Sequence, residues 1–242
     1  MTGTLNNKVI CITGASSGVG LATVRALLAE GAYVIGMARR IERLQLLAHE
    51  RFLAIGCDIQ NSEQRQQAFT QALAWQGRLD GLINNAGISR GGVHQSNTFE
   101  DLTQMLDTNV LALTDLTRLA IPALKQSQGT LINLSSTVVQ SLIAGSGVYA
   151  ATKAAVAAFS EVLRKELCGD NVRVTTIYPG MIETEFFDGI TDEQKKQSFA
   201  ALKTTLDPLQ AQDIAEVIVF VLSRAGHISL NEIVIRPTRQ TI

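Results

Sequence analysis

Tyr149 and Lys153 are the two side chains whose types and spacing could do chemistry together. Residues 148–167 contain no Gly or Pro and are rich in Ala, Leu, Lys, Arg and Glu, a composition that predicts a helix. At about 100° and 1.5 Å per residue, positions 149 and 153 stand one turn apart on one face. An ammonium beside a phenol favours the phenolate. Tyrosine titrates near 10, so a base working near neutrality needs a drop of about two to three units, about 3–4 kcal/mol. One close ammonium at an effective dielectric near 20 supplies about that much. The same spacing also fits a tyrosine packed inward and a lysine left in solvent, so the pair alone decides nothing. Ser135 and Ser136 lie shortly before it, across a loop containing Gly145 and Gly147.

The elements that must position these groups alternate along the chain. Short apolar runs at 9–13, 33–37, 52–56, 79–84, 130–134, 172–177 and 232–235 read as strands. Between them, 18–30, 41–50, 62–75, 98–125, 148–167 and 211–222 read as helices, with a polar helical stretch at 191–203. Thr98 followed by Asp101 suits an N-terminal cap. Near-continuous apolar strands each followed by a helix indicate a parallel sheet covered on both faces, with right-handed crossovers. There is no internal repeat and no linker rich in Pro, Gly or Ser. The expectation is one α/β domain over 1–242, a Rossmann-type doubly wound parallel sheet with helices on both faces.

The chain has 242 residues, a net charge of −1 and 46% hydrophobic residues, enough for one substantial core. Near-neutral charge leaves no footprint for nucleic acid or an anionic membrane. No apolar run reaches the roughly 18 residues of a membrane span, and residues 1–8 lack a signal peptide's apolar core. Cys11, Cys57 and Cys168 are odd in number and far apart, reading as free thiols in a reducing compartment. His49, His94 and His227 have no metal-ligand spacing, so no metal is expected. A soluble, cytoplasmic protein is the expectation.

The first strand runs into Thr13-Gly14-Ala15-Ser16-Ser17-Gly18-Val19-Gly20, and a helix follows. Glycines let the backbone turn tightly and approach a pyrophosphate, while the helix N-terminus offers unpaired N–H groups. After the second strand an acid would bind the 2′-hydroxyl of NAD. Here the chain reads Met37-Ala38-Arg39-Arg40, and an arginine fork grips a 2′-phosphate instead.

Tyr149-x-x-x-Lys153, the glycine turn 13–20 and Asn84-Asn85-Ala86-Gly87, all at their strand ends, make the chain resemble the short-chain dehydrogenase/reductase family over essentially its whole length. The family's members are Rossmann-type oxidoreductases, commonly tetramers or dimers, that interconvert alcohols and carbonyls with NAD(H) or NADP(H). The resemblance implies Tyr149 as general acid/base. It gives Lys153 the lowering of the Tyr149 pKa and the nicotinamide ribose hydroxyls. Ser136, thirteen positions before Tyr149, is implied as the carbonyl-orienting hydroxyl, and Asn109 as the holder of a water in a proton relay. For the cofactor it implies Gly14, Ser16, Ser17, Gly18, Val19 and Gly20 at the pyrophosphate turn and Arg39 and Arg40 at the 2′-phosphate. It further implies Asp58 and Ile59 at adenine, Asn85, Ala86 and Gly87 at the adenosine ribose, and Pro179, Gly180, Ile182 and Thr184 at the carboxamide.

Two departures narrow the placement. Position 17 is Ser where many NADP-using members carry a base, so Arg39 and Arg40 must carry the preference for NADP(H), with NAD(H) use left open. The C-terminus lacks the common Asp-Gly-Gly ending and runs Arg236-Pro237-Thr238-Arg239-Gln240, similar to NADP-dependent 3-hydroxy acid and serine dehydrogenases. The expected reaction interconverts a secondary alcohol or hydroxy acid and its ketone or aldehyde. The alternative is a non-catalytic NADP(H)-binding regulatory protein on the same fold, which loss of Tyr149 or Lys153 would have signalled. Residues 183–206, with Phe186 and Phe187, read as a substrate lid. Arg90 and His94 read as exposed loop charges that could also touch substrate. A small-molecule carbonyl or alcohol and further copies of the chain, as a tetramer or dimer, are the expected partners.

Overall fold

The computed structural model of the chain describes residues 4–90, 92–185 and 205–241. In order come β1 (Val9–Thr13), α1 (Gly18–Ala29), β2 (Tyr33–Ala38), α2 (Ile41–Gln45), β3 (Phe52–Gly56), α3 (Ser62–Gln76) and β4 (Gly81–Asn84). Then follow α4 (Phe99–Leu106), α5 (Ala112–Ser127), β5 (Thr130–Leu134), α6 (Val138–Ser141), α7 (Gly147–Leu167) and β6 (Arg173–Pro179). The short β7 (Ile182–Glu183) and β8 (Leu209–Gln210), then α8 (Ala211–Leu222) and β9 (Glu232–Ile235), close the described chain.

Seven strands form one parallel sheet in the order β3-β2-β1-β4-β5-β6-β9. Successive strand side chains point to opposite faces, and the buried residues of β1 divide accordingly. Val9 and Cys11 pack with Phe69, Leu116, Leu124 and Leu163 of α3, α5 and α7. Ile10 and Ile12 pack with Val24, Leu27, Ile214 and Ile218 of α1 and α8. Both faces are therefore dry, which is why the strands read as unbroken apolar runs rather than alternating ones. Strand order reverses at β1, which pairs with β2 on one side and β4 on the other. In such sheets the crevice beyond the strands' carboxyl ends at that reversal is where a ligand is held. Among the described residues no helix is long and apolar enough to cross a membrane.

Two helices differ from expectation. The helix expected over 41–50 stops at Gln45. Arg51 N donates to His49 Nδ1 and Phe52 N to His49 O, a turn that starts β3 and leaves the helix no room. The single helix expected over 98–125 is two, α4 and α5, joined by a π-helical turn at Asp107–Leu111. Its start is as expected, with a capping box between Thr98 and Asp101. The polar helix expected at 191–203, with Phe186 and Phe187, lies outside the described residues. Cys11 and Cys57 are buried and Cys168 is exposed, all three free. Burial pushes the Cys11 thiol up to about 12 and Cys57 to about 11.

Candidate active site

The glycine turn is bolted to the end of β4. Thr13 is buried, and its Oγ1 accepts from Asn85 N at 3.2 Å and Ala86 N at 3.0 Å. Asn85 Nδ2 donates to Thr13 O at 2.8 Å in return. Gly14 has φ +67°, and a Cβ there would lie 2.9 Å from Ala86 Cα. A Cβ on Gly20 would overlap the Gly14 carbonyl oxygen, so α1 packs on the turn only through hydrogen. Both glycines are forced by close approach, which lets the turn and α1 pack on each other and on Asn85 and Ala86; the N-terminus of α1 that opens beside them is suited to a pyrophosphate.

At the catalytic end, β5 and α7 meet. Ser135 and Ser136 follow β5 directly but do different things. Ser135 is buried and its Oγ donates to Lys153 O at 2.9 Å, fastening α7 to the strand end. Ser136 is only half-buried, accepts from Val138 N at 3.2 Å and hydrogen-bonds the Tyr149 hydroxyl. Lys153 is buried, donates from Nζ to Leu134 O at 2.7 Å, and stands 5.9 Å from the Tyr149 ring centroid.

The electrostatics differ from expectation. Tyr149 is pushed up to about 12, chiefly by burial, with the Ser136 hydrogen bond pulling the other way. Lys153 is pushed down to about 8, by burial alone. Desolvation of the phenol is the larger cause, while the Lys153 ammonium donates to the Leu134 carbonyl.

Asn109 sits in the π turn, buried, with its side chain fully engaged. Its Nδ2 donates to Ile88 O at 2.9 Å and Thr152 Oγ1 at 3.0 Å, and its Oδ1 accepts from Ile88 N at 2.9 Å. Thr152 Oγ1 donates onward to Tyr149 O. These bonds tie the loop after β4 to the helix carrying the tyrosine, and the widened turn lets one residue reach both.

A single cavity of about 880 Å³ runs from the end of β2 to α7. Every anticipated cofactor residue except Gly20 lines it, as do Ser136, Tyr149 and Lys153; Asn109 stands behind the wall. At the β2 end Arg39 is exposed, with no hydrogen bond or ion pair recorded for it among the described residues. Arg40 donates to Ser17 Oγ at 2.8 Å and to Glu185 at 3.2 Å, and Arg43 also binds Glu185. The Arg40 guanidinium therefore brings positive charge to the position where Ser17 lacks a base. Asp58 Oδ1 accepts from Gln60 N at 3.1 Å, and Gln60 Nε2 donates to Thr108. Arg90 lines the cavity while donating to Gln104 and facing Asp101 at 3.7 Å; His94 is exposed and does not line it. Sequence reasoning missed Gln240 and Thr241, which also line the cavity, because nothing local in a C-terminal tail says where it folds back.

The site's shape accommodates a dinucleotide, and the comparisons with known proteins agree. A family model described as short chain dehydrogenase matches residues 8–195. The chain belongs to the short-chain dehydrogenase family. It is therefore an NAD(P)-dependent oxidoreductase acting on CH–OH groups. A serine 3-dehydrogenase from Agrobacterium fabrum is 38% identical over 236 residues, covering 96% of this chain and 94% of that one. Among solved structures, the closed form of a serine dehydrogenase complexed with NADP+ superposes with a TM-score of 0.89 at 32% identity, covering 97% of this chain and 96% of that one. A 3-ketoacyl-(acyl-carrier-protein) reductase from Brucella melitensis, complexed with NADH, superposes at 0.86 with 26% identity, covering 97% and 99%.

Proposed function

We propose that this short-chain dehydrogenase is NADP(H)-dependent and interconverts a hydroxy acid or other secondary alcohol and its carbonyl compound, with Tyr149 as general acid/base. The observation that carries the reading is the meeting of Ser136, Tyr149 and Lys153 on one wall of a cavity whose other end is the glycine turn and Arg39. The serine dehydrogenase relatives favour a hydroxy acid, and the neighbour bound to NADP+ favours that cofactor. NAD(H) remains the weaker cofactor.

Bound along the cavity, the nicotinamide supplies or accepts the hydride. The chain's own residues do the rest. In reduction, the Ser136 and Tyr149 hydroxyls donate to the carbonyl oxygen, and Tyr149 releases its proton to the forming alkoxide. A phenol near 12 is fully protonated at neutral pH, which suits that acid role. In oxidation the same oxygen must take the proton back. The Lys153 ammonium stabilises the phenolate, provided it turns from Leu134 O toward the Tyr149 hydroxyl and the ribose. Asn109 and Thr152 hold the loop 85–88 and the Tyr149 backbone in register. The copies of the chain assemble, most simply as a tetramer.

A panel of 3-hydroxy acids, secondary alcohols and their carbonyls with each nicotinamide cofactor tests the reading, together with Tyr149→Phe. The variant should lose about 10²–10⁴-fold in kcat while keeping cofactor affinity within a few-fold. A Phe variant retaining more than about a tenth of the wild-type rate would show that Tyr149 is not the proton donor.

A further inference from the structure

The C-terminal tail returns from β9 to the cavity and takes hold of the loop 179–182. Gly180 N donates to Ile235 O at 2.7 Å, and Met181 N donates to Gln240 Oε1 at 2.9 Å. On its other side Met181 O accepts from Leu209 N at 3.0 Å, at the start of the β7–β8 pairing. Both backbone polar groups of the buried Met181 are thus fixed by distant segments, one before α8 and one at the end of the chain. A turn closed by Gln240 N donating to Pro237 O at 2.9 Å delivers the Gln240 side chain, and Pro237 is buried. Gly180 is the surface on which the tail rests. A Cβ there would overlap Gln240 Oε1 and lie 3.1 Å from Pro237 Cδ and 3.2 Å from Arg236 Cα. Arg236 in turn donates to Gln140 of α6, joining the tail to the loop after Ser136.

We propose that Gln240 is a positioning residue: by holding the Met181 N–H it sets where the loop 179–182 stands along the nicotinamide end of the cavity. The inference rests on the proposed function for which end of the cavity takes the nicotinamide. It predicts that the tail, remote in sequence from every motif, governs how the reacting half of the cofactor is held, and leaves the adenosine half alone. Losing the acceptor leaves a buried N–H unpaired.

The test compares Gln240→Met, which fills the space without a strong acceptor, and Gln240→Glu, which keeps an acceptor oxygen. NADPH and 2′,5′-ADP, the adenosine-end fragment with no nicotinamide, are titrated calorimetrically, and thermal unfolding is recorded alongside. Gln240→Met should weaken NADPH about five- to a hundred-fold and leave 2′,5′-ADP within about two-fold. Gln240→Glu should restore most of the NADPH affinity. Unchanged NADPH affinity in Gln240→Met overturns the proposal, and so does a parallel loss for both ligands with a lowered Tm, which is what a merely structural tail would give. Wild-type protein that binds NADPH no tighter than 2′,5′-ADP overturns the placement of the nicotinamide and the role of Gln240 with it. Wild-type protein that binds NADPH but turns over no carbonyl sinks the proposed function alone, and the ratio of the two affinities still decides Gln240.

Discussion

Arg39 and Arg40 divide the work at the end of β2. Arg40 is held by Ser17 and Glu185, while Arg39 has no recorded partner among the described residues and lines the cavity. Arg39 is therefore the guanidinium able to meet a 2′-phosphate without first breaking a bond. A charge-assisted hydrogen bond contributes about 1.5–3 kcal/mol, and about 1.4 is tenfold in affinity. NADP(H) should then be favoured over NAD(H) by about ten- to a hundred-fold, and Arg39→Ala should erase most of that margin with NAD(H) kinetics nearly untouched. Comparing kcat/KM for the two reduced cofactors decides it; equal values, or a preference for NADH, reject the assignment. Lys153 makes a second residue-scale prediction. Burial lowers it to about 8 from 10.5, so the folded chain binds fewer protons than the unfolded chain between those values. Stability must then rise as pH climbs from 8 toward 10.5, and be lost as pH falls back through 8. Over that window the term is about 3 kcal/mol. Urea unfolding of wild type and Lys153→Met across pH 7–10.5 isolates it, because other groups titrate alike in both. A constant difference between the two would mean that the lysine is not held at a depressed pKa. That Tyr149, Lys153, Ser136 and Arg39 come together on one cavity was legible in the sequence. The state of charge was not, because it depends on how much water the folded wall excludes.

At the scale of elements, what was legible followed from local chemistry. Near-continuous apolar strands, the Thr98–Asp101 capping box and the glycine turn each have a short-range cause, and the structure has each of them where the residues put it. The π turn at Asp107–Leu111 has no such cause. Residues 98–125 contain nothing that breaks a helix before Pro122, and helix propensity runs straight through Asn109. The interruption comes from tertiary bonds, with Asn109 anchored at once to Ile88 and Thr152. Those partners are separated in sequence by the whole of α5, β5 and α6, so no window of the sequence contains the pattern. The same holds for Gln240, whose partner Met181 is 59 residues away, whereas α2 gives way to a local turn made by His49, Arg51 and Phe52. The asparagine was legible as a site residue only through the resemblance. Its side-chain bonds also hold the loop after β4 against α7.

For the whole molecule, the unspent surface of α7 bears on assembly. One side of the helix, Thr152, Lys153, Val156, Ser160 and Leu163, is buried in the chain's own core and site. The other side presents Ala151, Ala154, Ala155, Ala158 and Val162 to solvent, a stripe at helical spacing. Beside the same face of the sheet, Leu111 is 55% exposed and Phe99 is 81% exposed. Small side chains let two helix backbones approach closely, and in an isologous pair the stripe would meet its own copy. A stable interface between copies buries about 1,200–2,000 Å² in total, more than one Ala stripe offers, so the exposed Phe99 and Leu111 must take part. Light scattering at micromolar concentration should give a mass near two or four times 26.1 kDa, and a monomer alone rejects assembly. Ala158→Glu would place like charges against each other at the centre of the stripe, desolvated and unpaired. It should shift the mass downward while leaving cofactor affinity, which depends on the opposite side of α7, within a few-fold. An Ala158→Glu protein with the wild-type mass would move the interface off this helix, and one that lost cofactor affinity along with its partners would mean that assembly, not the isolated chain, holds the site in shape.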